Sequence, residues 1–181
     1  MQALVDCARA RADIPLVISN HDALRAEVER FGVRFEHVPF SRDSQPGDEA
    51  KILELLADQA DFLVLARFMR ILSGDFVSHY PHRIINIHHS FLPAFAGADP
   101  YQQAYDKGVK LIGATAHYVT ADLDQGPIID QDVARVSHRD EVDDLKRMGR
   151  DLERQVLARA VRCHLEDRIL IHGNKTIVFN P

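Results

Sequence analysis

The residues best placed to do chemistry lie in the run "RIINIHHSFLPAF", residues 83–95: Asn86, His88 and His89 at the end of an apolar stretch. The run reads as a buried strand, and side chains alternate faces along a strand. Asn86 and His88 therefore share one face, with Ile85, Ile87 and His89 on the other while the strand lasts. Burying an amide and an imidazole on one face without partners costs a few kcal/mol, so this pair asks for a function or for dedicated partners. Three readings stand: metal ligands, satisfied core residues, or catalysts. A metal pair needs converging imidazoles, and adjacent strand positions point apart. No Cys, Asp or Glu surrounds them at the spacing a closed site demands, so no metal is expected. For His89 the core reading is as good as the functional one. A further polar element is "TADLDQGPI", residues 120–128, with Asp122 and Asp124 ahead of a Gly-Pro turn. Asp and Gly belong in turns, and a catalytic carboxylate is the alternative.

These residues need a scaffold, and the 181-residue chain is long enough for one domain with a sizeable core. Hydrophobic residues make up 46% and the net charge is −5 without a basic block, which argues against disorder and against a general nucleic-acid binder. No apolar run reaches the ~18 residues of a membrane span. The N-terminus has no signal-peptide layout, since Arg9 and Arg11 follow its short apolar part. Cys7 and Cys163 form neither a CxxC pair nor a disulfide framework. A cytoplasmic protein is expected.

Along the chain, apolar and β-branched runs predict strands at 14–19, 34–40, 61–68, 83–89, 110–119 and 127–136. Helical patterns fall at about 20–32, capped by Asn20 or Asp22 and stopped by Gly32, then at 49–59, 73–80 and 101–108. A long helix over 140–165 has Ser137 or Asp140 as its cap, and 168–179 reads as a hairpin around Gly173-Asn174. Alternating strands and helices predict an α/β, Rossmann-like fold with a mostly parallel sheet flanked by helices, ending in that β-hairpin. Ligands in such sheets bind beyond the carboxyl ends of the strands. The chemistry should therefore sit just after residues 68, 88 and 119.

Asn86-x-His88, then Ser90-Phe91-Leu92-Pro93, then Leu123-Asp124-x-Gly126, in this order and spacing, resembles the signature of the formyl-folate-dependent formyltransferase family. The stretches "GADPYQQAY", "GATAHYV", "GPIIDQDV", "GRDLE" and "GNKTIVF", with His89 where the transferases usually carry proline, are similar to its deformylase branch. The resemblance runs from about residue 14 to the end. It implies hydrolysis of 10-formyltetrahydrofolate to tetrahydrofolate and formate, feeding purine synthesis and balancing one-carbon pools. It implies no cofactor: the folate is the substrate and water the acceptor. Nucleic acid and membrane are not expected partners, and a homo-oligomer is left open.

The resemblance implies catalytic roles for Asn86, His88 and Asp124. Asn86 would donate to the developing oxyanion, His88 would donate a hydrogen bond or a proton, and Asp124 would keep His88 protonated or orient or deprotonate water. It places the pterin against "RFMRILS", 67–73, with Met69, Arg70 and Leu72, and against the loop 119–124, and puts His89, Thr115 and His117 beside the substrate. The alternatives are a transferase passing the formyl group to an amine such as glycinamide ribonucleotide, or an inactive folate-binding remnant. The chain has no Gly-rich phosphate turn in a first βα unit, which favours hydrolysis. Compared with the family, it would lack a first strand between 14–19 and 61–68, and an N-terminal ACT-type domain. Its absence would leave ladder groups unpaired, so low stability of residues 1–181 alone is expected.

Overall fold

The computed structural model describes residues 12–40, 45–92 and 100–179. Pro93, Cys7, Arg9 and Arg11, singled out above, lie outside the described residues. The apolar run at 14–19 forms β1 (Leu16–Ser19), parallel to β2 (Arg34–His37). A second sheet has the order β3-β4-β5-β6, from Leu63–Leu65, Ile84–His88, Leu111–Tyr118 and Ile128–Arg135. β3 and β4 are parallel, while β5 runs antiparallel to β4 and β6 antiparallel to β5. The C-terminal hairpin is β7 (Ile169–His172) and β8 (Lys175–Val178), closed by a two-residue turn with Gly173 at φ 58°. Among the described residues, no ladder joins β1–β2 to the four-stranded sheet. The two sheets share a core, where Leu16 and Ile18 pack with Leu63, Leu65, Ile84 and Phe76.

The helices are α1 (Arg25–Glu29), entered through a 3₁₀ turn at Asp22–Leu24, α2 (Gln45–Leu56), α3 (Gly74–His79), α4 (Pro100–Asp106) and α5 (Val142–Leu165). Several boundaries differ from the sequence expectation. Neither Asn20 nor Asp22 caps the first helix: the cap position is His21, without a side-chain bond, and Asp22 instead accepts from Arg25 Nε at 2.8 Å. α2 begins before residue 49, because Gln45 and Glu49 join side chains across its first turn at 3.0 Å. β3 is only Leu63–Leu65, because Arg67 turns to φ 55° and leaves the extended region. α5 is capped by Glu141 in a reciprocal box with Asp144, not by Ser137 or Asp140. The Asp140 carboxylate is already occupied, accepting from the Ser137 amide at 2.6 Å.

Alternation along β4 divides the core. Ile85 and Ile87 face α5, packing with Leu145, Leu152, Val156 and Val161. Ile84 faces the other way, onto Val38, Ile52, Leu72 and Phe76. Asn86 and His88 follow Ile84 on that second face, at the carboxyl end of the strand, where the apolar core stops.

Glycine 149 shows how closely α5 is seated. An added Cβ there would lie 2.0 Å from the Tyr101 hydroxyl oxygen and 2.3–2.5 Å from its ring carbons, and that hydroxyl donates to Glu153 Oε1 at 2.9 Å. Gly149→Ala is expected to destabilise by about 1–3 kcal/mol through overpacking. Gly47→Ala, in α2 where a Cβ meets nothing within 4 Å, is expected to stabilise by about 0.5–1 kcal/mol. Urea unfolding of the two variants against the parent checks both signs.

Candidate active site

The site forms where β4, β5 and the 119–127 loop meet. In an antiparallel ladder, directly opposed residues put their side chains on the same face about 4.5–5.5 Å apart. The β4–β5 register opposes Asn86 to His117 and His88 to Thr115. Asn86 Nδ2 lies 3.3 Å from His117 Nε2. The loop closing β5 onto β6 returns Asp124 over this pair. Its Oδ2 is 3.2 Å from His88 Nδ1 and its Oδ1 is 3.5 Å from His117 Nε2. Imidazoles from β4 and β5 thus converge on one carboxylate.

The loop is held in a costly conformation. Asp124 has φ 53°, a left-handed geometry that costs a non-Gly residue on the order of 1 kcal/mol or more. Its ends are pinned where Tyr118 N donates to Pro127 O at 2.9 Å and Val119 N to Ile84 O at 2.8 Å. Gly126 packs so closely on the Tyr118 carbonyl that a Cβ would sit 1.7 Å from the oxygen. The C-terminal hairpin braces the loop from outside, Asn174 Nδ2 donating to Gln125 O at 2.8 Å.

Among the described residues, the side-chain atoms buried without a hydrogen-bond partner are Asn86 Oδ1, His88 Nε2 and Arg168 Nη2. Two of these three belong to this site. Natural proteins rarely leave such atoms unsatisfied, so Asn86 Oδ1 and His88 Nε2 stand out as open hydrogen-bonding positions. Burial is the largest influence on the His88 imidazole and lowers its pKa, Asp124 pulls the other way, and His89 and His117 lower it further. The net direction is down. Asp124 therefore raises the imidazole pKa as expected, but burial outweighs it, and neutral His88 is favoured near pH 7. With the carboxylate facing Nδ1, the proton sits there and Nε2 is a bare acceptor. Because the folded pKa lies below the ordinary value of about 6.5, the stability from neutral burial is full above that value and is lost as pH falls.

His88 and His89 do not diverge as the strand pattern predicts. β4 ends at His88, so alternation ends with it, and the two rings stack with centroids 4.9 Å apart and 17° between planes. Among the described residues no group of three or more His, Cys, Asp or Glu is arranged to hold a metal ion.

An open cleft lies beside Asn86, His117 and Asp124, lined also by Phe68, Arg70, Ile71, Leu72, Thr120 and Leu123. Of the predicted substrate-binding residues, Arg70, Leu72 and His117 line it. Met69 does not: it is 73% exposed and turned away. The Arg70 guanidinium donates to Phe40 O at 3.0 Å and lies over the Phe40 ring, which shapes the wall. Thr115 is fully buried and saturated, donating to Ser90 O and accepting from Leu92 N and Gln131 Nε2, so it braces the turn after β4 and touches no cleft. His89 lines a separate depression with Tyr101 and Ser90. Phe68 and Thr120 fall within the segments 67–73 and 119–124 that the sequence reading set against the substrate, whereas it missed Gln131 and Glu49. Glu49, 5% exposed, accepts from the Ser73 amide and hydroxyl and from Gln45, whose amide also donates to Ile71 O. A buried helical glutamate bonding a serine 24 residues away leaves no local pattern to find.

The α/β sheet, part parallel and part antiparallel, thus carries an amide and an imidazole at a strand end and a carboxylate lowered onto them from a loop. The chain belongs to the formyl transferase family, whose profile matches residues 2–161. A formyltetrahydrofolate deformylase of Bacillus subtilis (strain 168) is 60% identical over 170 residues, 93% of this chain and 57% of that protein. The crystal structure of a formyltetrahydrofolate deformylase from Pseudomonas syringae pv. tomato covers 99% of this chain and 63% of its own, with a TM-score of 0.91 and 50% identity. Glycinamide ribonucleotide transformylase 1 from Symbiobacterium toebii covers 99% of this chain and 88% of its own, with a TM-score of 0.87 and 36% identity. The chain thus spans less than two thirds of the length of the deformylases it matches.

Gly126→Ala is expected to displace the Asp124 loop, since the clash is with backbone and cannot be relieved by a rotamer. The expected outcome is loss of more than ~10-fold in activity, the size of a misplaced catalytic group, in a protein whose far-ultraviolet circular dichroism is unchanged. Activity and circular dichroism measured on one preparation check it.

Proposed function

We propose that this chain is a formyltransferase-like catalytic domain that hydrolyses 10-formyltetrahydrofolate to tetrahydrofolate and formate. The observation that carries the reading is the His88 imidazole with Asp124 at Nδ1 and a buried, unpartnered Nε2 next to the Asn86 amide. That is the layout of a general base beside an oxyanion donor. The relatives named deformylase, at 60% and 50% identity, support water as the acceptor.

In the proposed reaction His88 Nε2 takes a proton from water as the water oxygen bonds to the formyl carbon. The carbonyl π pair moves onto oxygen, where an Asn86 N–H receives the negative charge. Asp124 stabilises the imidazolium formed. The tetrahedral species then re-forms its carbonyl, the carbon–nitrogen bond breaks, and His88 returns the proton to the leaving folate nitrogen. The products are formic acid, which ionises to formate, and tetrahydrofolate. The cleft wall of Phe68, Ile71 and Leu72 with the backbone around Arg70 would take the flat pterin. The chemistry draws on no metal or organic cofactor, and treatment with a strong chelator is expected to leave the rate unchanged.

His88→Ala and Asp124→Asn are each expected to lower kcat by at least ~10²-fold with little change in folding. Because the base must be neutral and its pKa is lowered, kcat/KM should stay level through neutral pH and fall only below about 6.5. The assay is tetrahydrofolate absorbance with no amine present. Turnover only on adding glycinamide ribonucleotide, or falls under about fivefold in both variants, would exclude this reading.

A further inference from the structure

His117 is 2% exposed in the middle of β5, a position usually apolar. Its Nδ1 lies 2.9 Å from the Tyr118 carbonyl oxygen. A carbonyl only accepts, so Nδ1 carries a proton, and in the neutral ring Nε2 is left as an acceptor. Two groups compete for that Nε2: the Asn86 Nδ2 donor at 3.3 Å and the Asp124 Oδ1 acceptor at 3.5 Å. They demand opposite states. A bare Nε2 accepts from Asn86, whereas a protonated Nε2 repels the Asn86 N–H and pairs with Asp124. The geometry is built in by the ladder. A register irregularity at this point pairs Ala116 with Asp130 but His117 with Ile128, so Ile129 is an extra residue in β6, and such bulges re-aim side chains.

The other ionisable neighbours are already engaged or more distant. On β4, His88 faces Asp124. In the loop, Asp122 lines the cleft with Arg70, whose guanidinium is turned to Phe40. On β6, the Asp130 carboxylate is held by Arg159 at 2.6 Å. On the far face of β5, the Tyr118 hydroxyl is bonded to His164 on α5.

We propose that His117 is the positioning residue for Asn86: neutral and protonated at Nδ1, it holds the Asn86 amide through Nε2, and a proton at Nε2 dismantles the site. In the neutral state one Asn86 N–H is fixed on His117, the second is left for the oxyanion, and Asp124 stays on His88. Proton uptake at Nε2 creates a charge-assisted bond to Asp124, draws the carboxylate off His88, and turns the Asn86 oxygen toward the new N–H. The assignment rests on the roles given above to Asn86 and Asp124, but its tautomer can be read without any substrate.

The test has two parts. Nitrogen-15 spectra of histidine-labelled protein, assigned against His117→Gln, should show His117 protonated at Nδ1 and bare at Nε2 where activity is level. In kinetics, His117→Phe should lose ~10-fold or more in kcat, the size expected when a donor's support is removed, with KM moved less than about threefold. His117→Gln, whose carbonyl can accept from Asn86, should recover most of that loss. Where acid places a proton on Nε2 in that spectrum, kcat/KM should fall more steeply in the parent than in His117→Gln. A protonated Nε2 at the plateau, a folded His117→Phe with parental kcat, or an unchanged acid slope would overturn the proposal. If His117→Phe fails to fold, the spectrum of the parent protein still decides. If the parent shows no formyl-folate hydrolysis, the proposed function fails while the spectrum still answers for His117.

Discussion

The register of β4 on β5 is the constraint from which the rest of the site follows. A slip of one residue would turn Asn86 and His88 toward the apolar core under α5 and bring Ile85 and Ile87 to the cleft. The register is held by burial on both faces. Ile85 and Ile87 are committed to Leu145, Val156 and their neighbours, and Ile84 to Phe76 and Leu72. Slippage would strip both cores at once, at about 1.5–3 kcal/mol for each large aliphatic side chain exposed. The precision of the site is thus inherited from hydrophobic packing on residues that do no chemistry.

On this frame the electrostatics are a contest between burial and proximity. Asp124 alone would hold His88 charged, as the sequence suggests. In the folded chain the loss of solvent is the larger effect and two other imidazoles lie close by, so the neutral form gains. A neutral imidazole against a carboxylate is a base with its direction set. The same carboxylate also reaches His117, so one side chain links the His88 and Asn86 halves of the site. That sharing explains why Asp124 is placed at a positive φ and why its loop is pinned at Tyr118–Pro127, pressed by Gly126 and braced by the β7–β8 hairpin.

The fold is similar both to a deformylase and to a glycinamide ribonucleotide transformylase, with TM-scores of 0.91 and 0.87. His89, stacked on His88, and Tyr101, bonded to Glu153, line a depression separate from the cleft.

The sequence by itself determined the strands, the long helix and the hairpin, because periods of two and of about 3.6 residues are local properties. It also placed Asn86 and His88 on one face, since strand alternation needs no tertiary knowledge, and the Asp124–Gly126 turn, since those residue types favour it. Boundaries were misread where side chains made bonds that no propensity encodes: Gln45 with Glu49, Glu141 with Asp144, and Asp140 with the Ser137 amide. The stacking of His89 on His88 was not legible, because alternation ceases where the strand ends. Thr115 and Met69 read as site residues but do not line the cleft, one saturated by partners 16 to 25 residues away and the other exposed to solvent. Only the tertiary structure decided that burial pushes His88 toward its neutral form and that Asn86, His117 and Asp124 compete for one another's hydrogen bonds. Those outcomes depend on distances of 3.2–3.5 Å across separate elements and on how much water is excluded, and neither quantity exists until the sheet, the loop and the core close together.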